Sequence, residues 1–123
     1  MESFKFENLE IWKLACEYAD EIHQLTKRFP ADERFALCDQ LNRSSSSIPD
    51  NIAEGSGATT VRDLSNYLQT SVKSAYESVS QLYRVYRRGY ITDNQKLYFY
   101  EKAKMLVKKI LSFKATINRR GRF

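Results

Sequence analysis

Four stretches of this sequence place apolar residues at alternating steps of three and four, a period that admits amphipathic helices and excludes strands. The first carries Trp12, Ala15, Ala19, Ile22, Thr26 and Phe29 between Asn8, a good N-cap, and Pro30. Leu9, Ile11, Cys16, Tyr18 and Leu25 widen its apolar face toward more than one neighbour. The second starts at Asp32 and Glu33, whose charge suits a helix N-terminus, and carries Cys38, Leu41, Ser45, Ile48 and Ile52. Gly55-Ser56-Gly57 reads as its stop, because glycine accepts the left-handed conformation that closes many helices. In the third, Thr60 and Asp63 stand at capping-box spacing, Gly89 is the expected C-cap after Arg88, and the inner face runs from Leu64 and Tyr67 through Leu68, Ser71, Ala75, Ser78 and Leu82 to Val85 and Tyr86. The fourth opens on Thr92-Asp93-Asn94-Gln95, a full capping box, and repeats Phe99, Ala103, Leu106, Ile110, Phe113 and Ile117.

Only four glycines and two prolines punctuate the 123 residues, so elements are long and turns short. These features predict an all-α, up-down-up-down antiparallel four-helix bundle over residues 1–118, with a flexible basic tail at 119–123. A chain of this length supports one core. No apolar run of about 18 residues is present, and Met1-Glu2-Ser3-Phe4-Lys5 lacks the basic start and apolar stretch of a signal peptide. A soluble cytoplasmic protein with no membrane partner is expected. Cys16 and Cys38 lie on apolar faces and are expected as buried free thiols.

The segment Arg43 to Gly55 departs from this regularity. Pro49 falls inside the second helical pattern, where a proline removes a backbone donor and costs about 3 kcal/mol. If the helix continues through it, Gln40, Ser44, Ser47, Asn51 and Glu54 form a polar stripe beside the apolar seam. Such a stripe suits a hydrogen-bonded seam fixing helix register or a subunit contact, and nucleic-acid contact and catalysis are the other readings open to it. Serine hydroxyls bonding a turn back make a continuous helix feasible. Asn51 and Glu54 are then expected at least partly buried, with hydrogen-bond partners.

The stretch from Gln40-Leu41-Asn42-Arg43-Ser44 through Ser47-Ile48-Pro49-Asp50-Asn51-Ile52-Ala53-Glu54-Gly55 resembles the signature of the four-helix-bundle proteins encoded in intervening sequences of bacterial 23S rRNA genes. Phe6 to Trp12 and Phe29 to Leu37 are similar to that family's opening helix and first turn. Tyr67-Leu68, Ser74, Glu77 and Gly89-Tyr90 are similar to its third helix and the turn that follows. Ser44 and Ser71 stand where the family pattern carries alanine, which makes this inner face more polar. The resemblance implies a ring-forming homo-oligomer, a pentamer, with no enzymatic activity and no cofactor. It also implies an association with ribosomal RNA, and a similarity to accessory proteins that bind reverse transcriptases in diversity-generating retroelements.

Charge is divided unequally along the chain. Residues 1–61 hold 6 Lys and Arg against 11 Asp and Glu, and residues 62–123 hold 14 against 4, a net −5 and +10 that make up the overall +5. A basic half of this kind suits a polyanion. It equally suits neutralisation by the acidic half, within one bundle or between head-to-tail subunits. The candidate nucleic-acid residues are Arg84, Arg87 and Arg88, then Lys102, Lys104, Lys108 and Lys109 with Lys114 beside them, then Arg119, Arg120 and Arg122. Tyr83, Tyr86, Tyr90, Tyr98 and Tyr100 interleave with them, as stacking on unpaired bases requires.

An enzyme is not expected. The one histidine, His23, has no neighbour at a spacing that completes a metal site or triad. Glu17 to Ile22 contains no arginine at the Arg-to-His spacing of some all-helical ribonucleases. Gly55-Ser56-Gly57 is too short for a phosphate-binding loop. The expected function is RNA binding through the third and fourth helices, with a protein-interaction scaffold as the alternative.

Overall fold

The computed structural model describes residues 3–123, the side chain of Arg34 excepted, so Met1 and Glu2 of the segment read for a targeting signal lie outside the described residues. A 3-10 turn over Lys5–Asn8 leads into α1 (Glu10–Thr26). A second 3-10 turn (Ala31–Glu33) and a π turn (Arg34–Cys38) lead into α2 (Asp39–Ser56), and α3 (Val61–Arg87) and α4 (Asp93–Arg120) follow across short connections. The fold is all-α, and among the described residues there is no strand. Each helix packs on the next in sequence, and α4 returns more loosely to α1. Glu21 meets Lys102 and Glu10 meets Lys109, so α1 and α4 run antiparallel. None of the helices combines the length and apolarity needed to cross a membrane, among the described residues.

The periodic residues converge as their spacing requires. Ala15, Ile22, Leu41, Ile48, Ile52, Leu68, Ala75, Val85 and Ile110 are fully buried, each large aliphatic side chain contributing roughly 1.5–3 kcal/mol of transfer free energy. At the centre the Tyr18 hydroxyl bonds Ser78 Oγ at 2.8 Å. Ser78 Oγ donates its own proton to the Ala75 carbonyl at 2.7 Å, so the phenol is the donor of the pair. Burial pushes the Tyr18 pKa up to about 12.

Helix ends follow local chemistry where the chemistry is local. Thr92 Oγ1 accepts from Gln95 N at 3.1 Å while Gln95 Oε1 accepts from Thr92 N at 2.8 Å, the reciprocal capping box. Thr60 caps α3 by accepting from Asp63 N at 3.1 Å. Gly89, at φ +79°, supplies the left-handed turn after α3.

Elsewhere the boundaries differ from expectation. Asn8 ends the first 3-10 turn and Leu9 takes the N-cap position of α1. Asp32 and Glu33 belong to the turn preceding α2, because the chain first makes the wider π turn that buries Leu37 and Cys38. Gly57 is right-handed at φ −89°, and Gly55 lies within α2, so the pair is not a left-handed stop. The fourth helix continues past Asn118 to Arg120, closed by left-handed Gly121. Cys38 is buried, its Sγ donating to the Thr26 carbonyl at 3.7 Å, whereas Cys16 is only half-buried.

Candidate nucleic-acid interface

The polar stripe of α2 faces α3. Pro49 is buried inside a helix that continues to Ser56. Just before it, Ser71 Oγ donates to the Ile48 carbonyl at 2.7 Å. On either side Ser44 Oγ donates to Gln81 Oε1 at 2.6 Å, and Ser47 Oγ shares a hydrogen bond with Ser74 Oγ at 2.8 Å. Asn51 Nδ2 donates to the Ser47 carbonyl at 2.8 Å and to Ser47 Oγ at 2.9 Å, and at the other end Arg84 Nη1 donates to Gln40 Oε1 at 3.3 Å. Together these bonds hold α2 and α3 in one register, because a shift of either helix would leave buried hydroxyls unpaired. Asn51 is half-buried as expected, but Glu54 is exposed: the step from Asn51 to Glu54 rotates it beyond the edge of α3. Arg43 is also outward, paired with Asp39 at 3.4 Å.

The ten candidate cations do not form one patch. Because α3 and α4 are antiparallel, Arg84, Arg87 and Arg88 sit beside the start of α4, whereas Arg119, Arg120 and Arg122 sit at its far end. The 28 residues of α4 put those ends roughly 42 Å apart at about 1.5 Å per residue. Three of the ten are neutralised within the chain: Arg88 by Glu33 at 2.9 Å, Lys109 by Glu10 at 2.7 Å, and Lys102 by Glu21. Burial alone would raise the Glu21 carboxyl, but hydrogen bonds from Lys102 and Tyr98 with the Lys102 charge outweigh it and hold Glu21 below its ordinary value. Lys114 reaches Gln69 at 2.8 Å. Arg87, Lys104, Lys108 and Arg119 are exposed and have no carboxylate partner among the described residues.

Tyrosines sort in the same way. The Tyr86 hydroxyl donates to Asp93 and that of Tyr98 to Glu21, while the Tyr90 ring packs on Phe29 at 5.6 Å. Tyr83 and Tyr100 meet edge to face at 6.4 Å across the α3–α4 boundary. Tyr76 is 68% exposed on the same side, beside a groove of about 280 Å³ between the two helices. Lys96 Nζ stands 4.9 Å from the Tyr83 ring and 4.0 Å from that of Tyr86, and Lys104 Nζ 6.0 Å from Tyr100. Tyr76 and Lys96 were not among the sequence candidates. A signal for Lys96 was present, since Lys96, Tyr100, Lys104 and Lys108 recur every fourth residue along one stripe of a helix.

Among the described residues no group of three or more His, Cys, Asp and Glu side chains is placed to hold a metal ion. The molecule is thus a four-helix bundle with exposed, unpaired cations and exposed aromatic rings on α3 and α4. The chain belongs to the 23S rRNA-intervening sequence protein family, whose model matches residues 7–112. Among solved structures it is similar to a protein of unknown function from the S23 ribosomal protein family of Bacteroides thetaiotaomicron, at 28% identity and a TM-score of 0.78, over 85% of this chain and 97% of that one. No curated protein matches it.

Proposed function

We propose that this protein is a non-enzymatic RNA-binding bundle, associated with ribosomal RNA, whose copies assemble into a ring and whose RNA contact runs along α3 and α4. The observation that carries the reading is the cation surplus left after intrachain pairing: Arg87, Lys104, Lys108 and Arg119 remain exposed without carboxylate partners among the described residues. Charges held for internal stability would be expected beside acids, as Lys102 and Lys109 are. The family's name, 23S rRNA-intervening sequence protein, supports a ribosomal RNA as the polyanion. For ring assembly the supporting surface is the acidic outward side of α1 and α2, where Asp20 and Asp50 are exposed. Exposed Arg43 and Glu54 of the signature segment share that outward side of α2.

RNA affinity measured across a salt series tests the proposal. Phosphate neutralisation releases counterions, so the logarithm of the binding constant should fall linearly with that of salt, by about 0.7 per neutralised phosphate on a single strand. Absence of binding at low salt would overturn it. Reversing the charges of Arg84, Arg87 and Arg88 should weaken binding, and an unchanged affinity would place the contact nearer Lys104 and Lys108. A scaffold for a protein partner such as a reverse transcriptase is the second reading, favoured by apolar Leu97, Met105 and Leu111 at 57%, 44% and 41% exposure on α4. Co-purification of a protein partner from nuclease-treated extract would favour it.

A further inference from the structure

We infer that the groove between α3 and α4 is a subsite for unpaired RNA bases, so that the ligand of this surface is single-stranded rather than duplex RNA; this rests on the RNA-binding reading above. Ala75 and Ala103, both buried, let the helices approach closely and leave a shallow apolar floor completed by Val79 and Val107. Its walls are aromatic: Tyr76 and Tyr100 line it, and Tyr83 stands edge-on to Tyr100 at its end. A floor of apolar side chains offers nothing to a phosphate and a large contact to the face of a base. At about 280 Å³ the groove falls just below the roughly 300–1,000 Å³ of pockets for drug-sized ligands, a size suited to flat groups seated one at a time.

The charges complete the match. Lys104 stands on the lip of the groove and Lys96 beside Tyr83 at its end, while neither Glu77 nor Glu101 lines it. Both ammonium groups rest near ring faces, Lys96 over Tyr83 and Tyr86 and Lys104 at the edge of contact with Tyr100. Lysines held in this way, Lys104 exposed and Lys96 half-buried, lose little when they turn outward to a phosphate. Tyr76 and Tyr83 are two helical turns apart, about 10.5 Å along the axis, more than one nucleotide step, so the rings address separate, non-adjacent bases of one extended strand. The deep, narrow major groove and stacked bases of an RNA duplex offer no such faces.

The test compares the full-length protein's affinity for a mixed-sequence single-stranded oligonucleotide and for its duplex, across a salt series. The single strand should bind at least tenfold more tightly. Tyr76→Ala, at an exposed position that the core does not need, should weaken single-strand binding roughly tenfold or more without changing the salt slope. Lys96→Gln and Lys104→Gln should each lower the slope by about 0.7. Tyr100→Phe keeps the ring and should bind as the parent does. Equal affinity for strand and duplex, with Tyr76→Ala unchanged, overturns the subsite and leaves RNA binding intact. Loss of all RNA binding at low salt in the parent removes both. A Tyr76→Ala protein whose oligomeric state shifts in light scattering while its RNA affinity holds makes the groove a protein contact, and also overturns the subsite.

Discussion

A Cβ built on Gly55 lies 2.7 Å from the Cβ of Tyr67 and 3.1 Å from Leu64 Cδ1. The Tyr67 atom is fixed to its own backbone, so only movement of α2 away from α3 relieves the clash. Gly55→Ala should therefore lower stability by about 1–3 kcal/mol, despite the gain of about 1 kcal/mol in helix propensity. Gly57→Ala is the control. Its Cβ would meet only the Glu54 carbonyl at 3.5 Å, and it should be neutral or stabilising by about 0.4–1 kcal/mol. Urea denaturation midpoints distinguish the two, and equal behaviour would contradict the close approach.

Tyr18 should make the fold sensitive to alkali. Its pKa rises from 10.0 to about 12 on folding, so the stabilising contribution of the neutral phenol is fully present below pH 10 and is lost as pH climbs toward 12. Two pH units correspond to about 2–3 kcal/mol. Tyr18→Phe should abolish that alkaline loss while costing about 1–2 kcal/mol at neutral pH, since Ser78 Oγ loses its donor. Chemical denaturation between pH 8 and 11.5 measures both effects.

Glu21 acts in the opposite pH range. Its lowered pKa means that the tie from α1 to α4 stabilises above the ordinary carboxylate range and is lost as pH falls through the lowered value. Because Lys102 and Glu21 remain 26% and 34% exposed, the effect should be about 1 kcal/mol or less. Lys102→Met should flatten this acid dependence, as followed by thermal melts from pH 2.5 to 6.

Asn51 reports on the role of the signature segment. Asn51→Leu removes the two bonds to Ser47 and leaves the Ser47–Ser74 pair less constrained. The expected loss is about 1–2 kcal/mol of stability, or dissociation of the assembly, with RNA affinity at fixed salt unchanged within about twofold. A large fall in RNA affinity from a stable variant would make the stripe part of the RNA site.

Those features that the sequence disclosed are the ones set by near neighbours in the chain. Phe99, Ala103, Leu106, Ile110 and Ile117 are buried because their spacing leaves a helix no other apolar face, and Thr92 with Gln95 closes a box within four residues. Pro49 was readable as helical because the periodic pattern continues on both sides of it. Glu54 was not readable. Its spacing continues the stripe from Asn51, but it is exposed rather than partnered, because burial there depends on where the edge of α3 falls. The candidate cations were legible as a charge imbalance, while their separation toward opposite ends of α4 required the antiparallel pairing of α3 and α4.

By itself the sequence determined that this chain forms four amphipathic helices in a single bundle, since periodicity, caps and scarce glycine and proline act over one or two turns. Only the tertiary structure decided what depends on distances between residues far apart in the chain. It turned Gly55 from a helix stop into a contact point for Tyr67, assigned Lys102 and Lys109 to the acids of α1, and brought Tyr76 and Tyr100 to one groove with Tyr83 and Lys96 at its end. Through-space geometry carries no local signature, because charge and aromatic contacts are fixed by the packing of whole helices and not by the order of residues along any one of them.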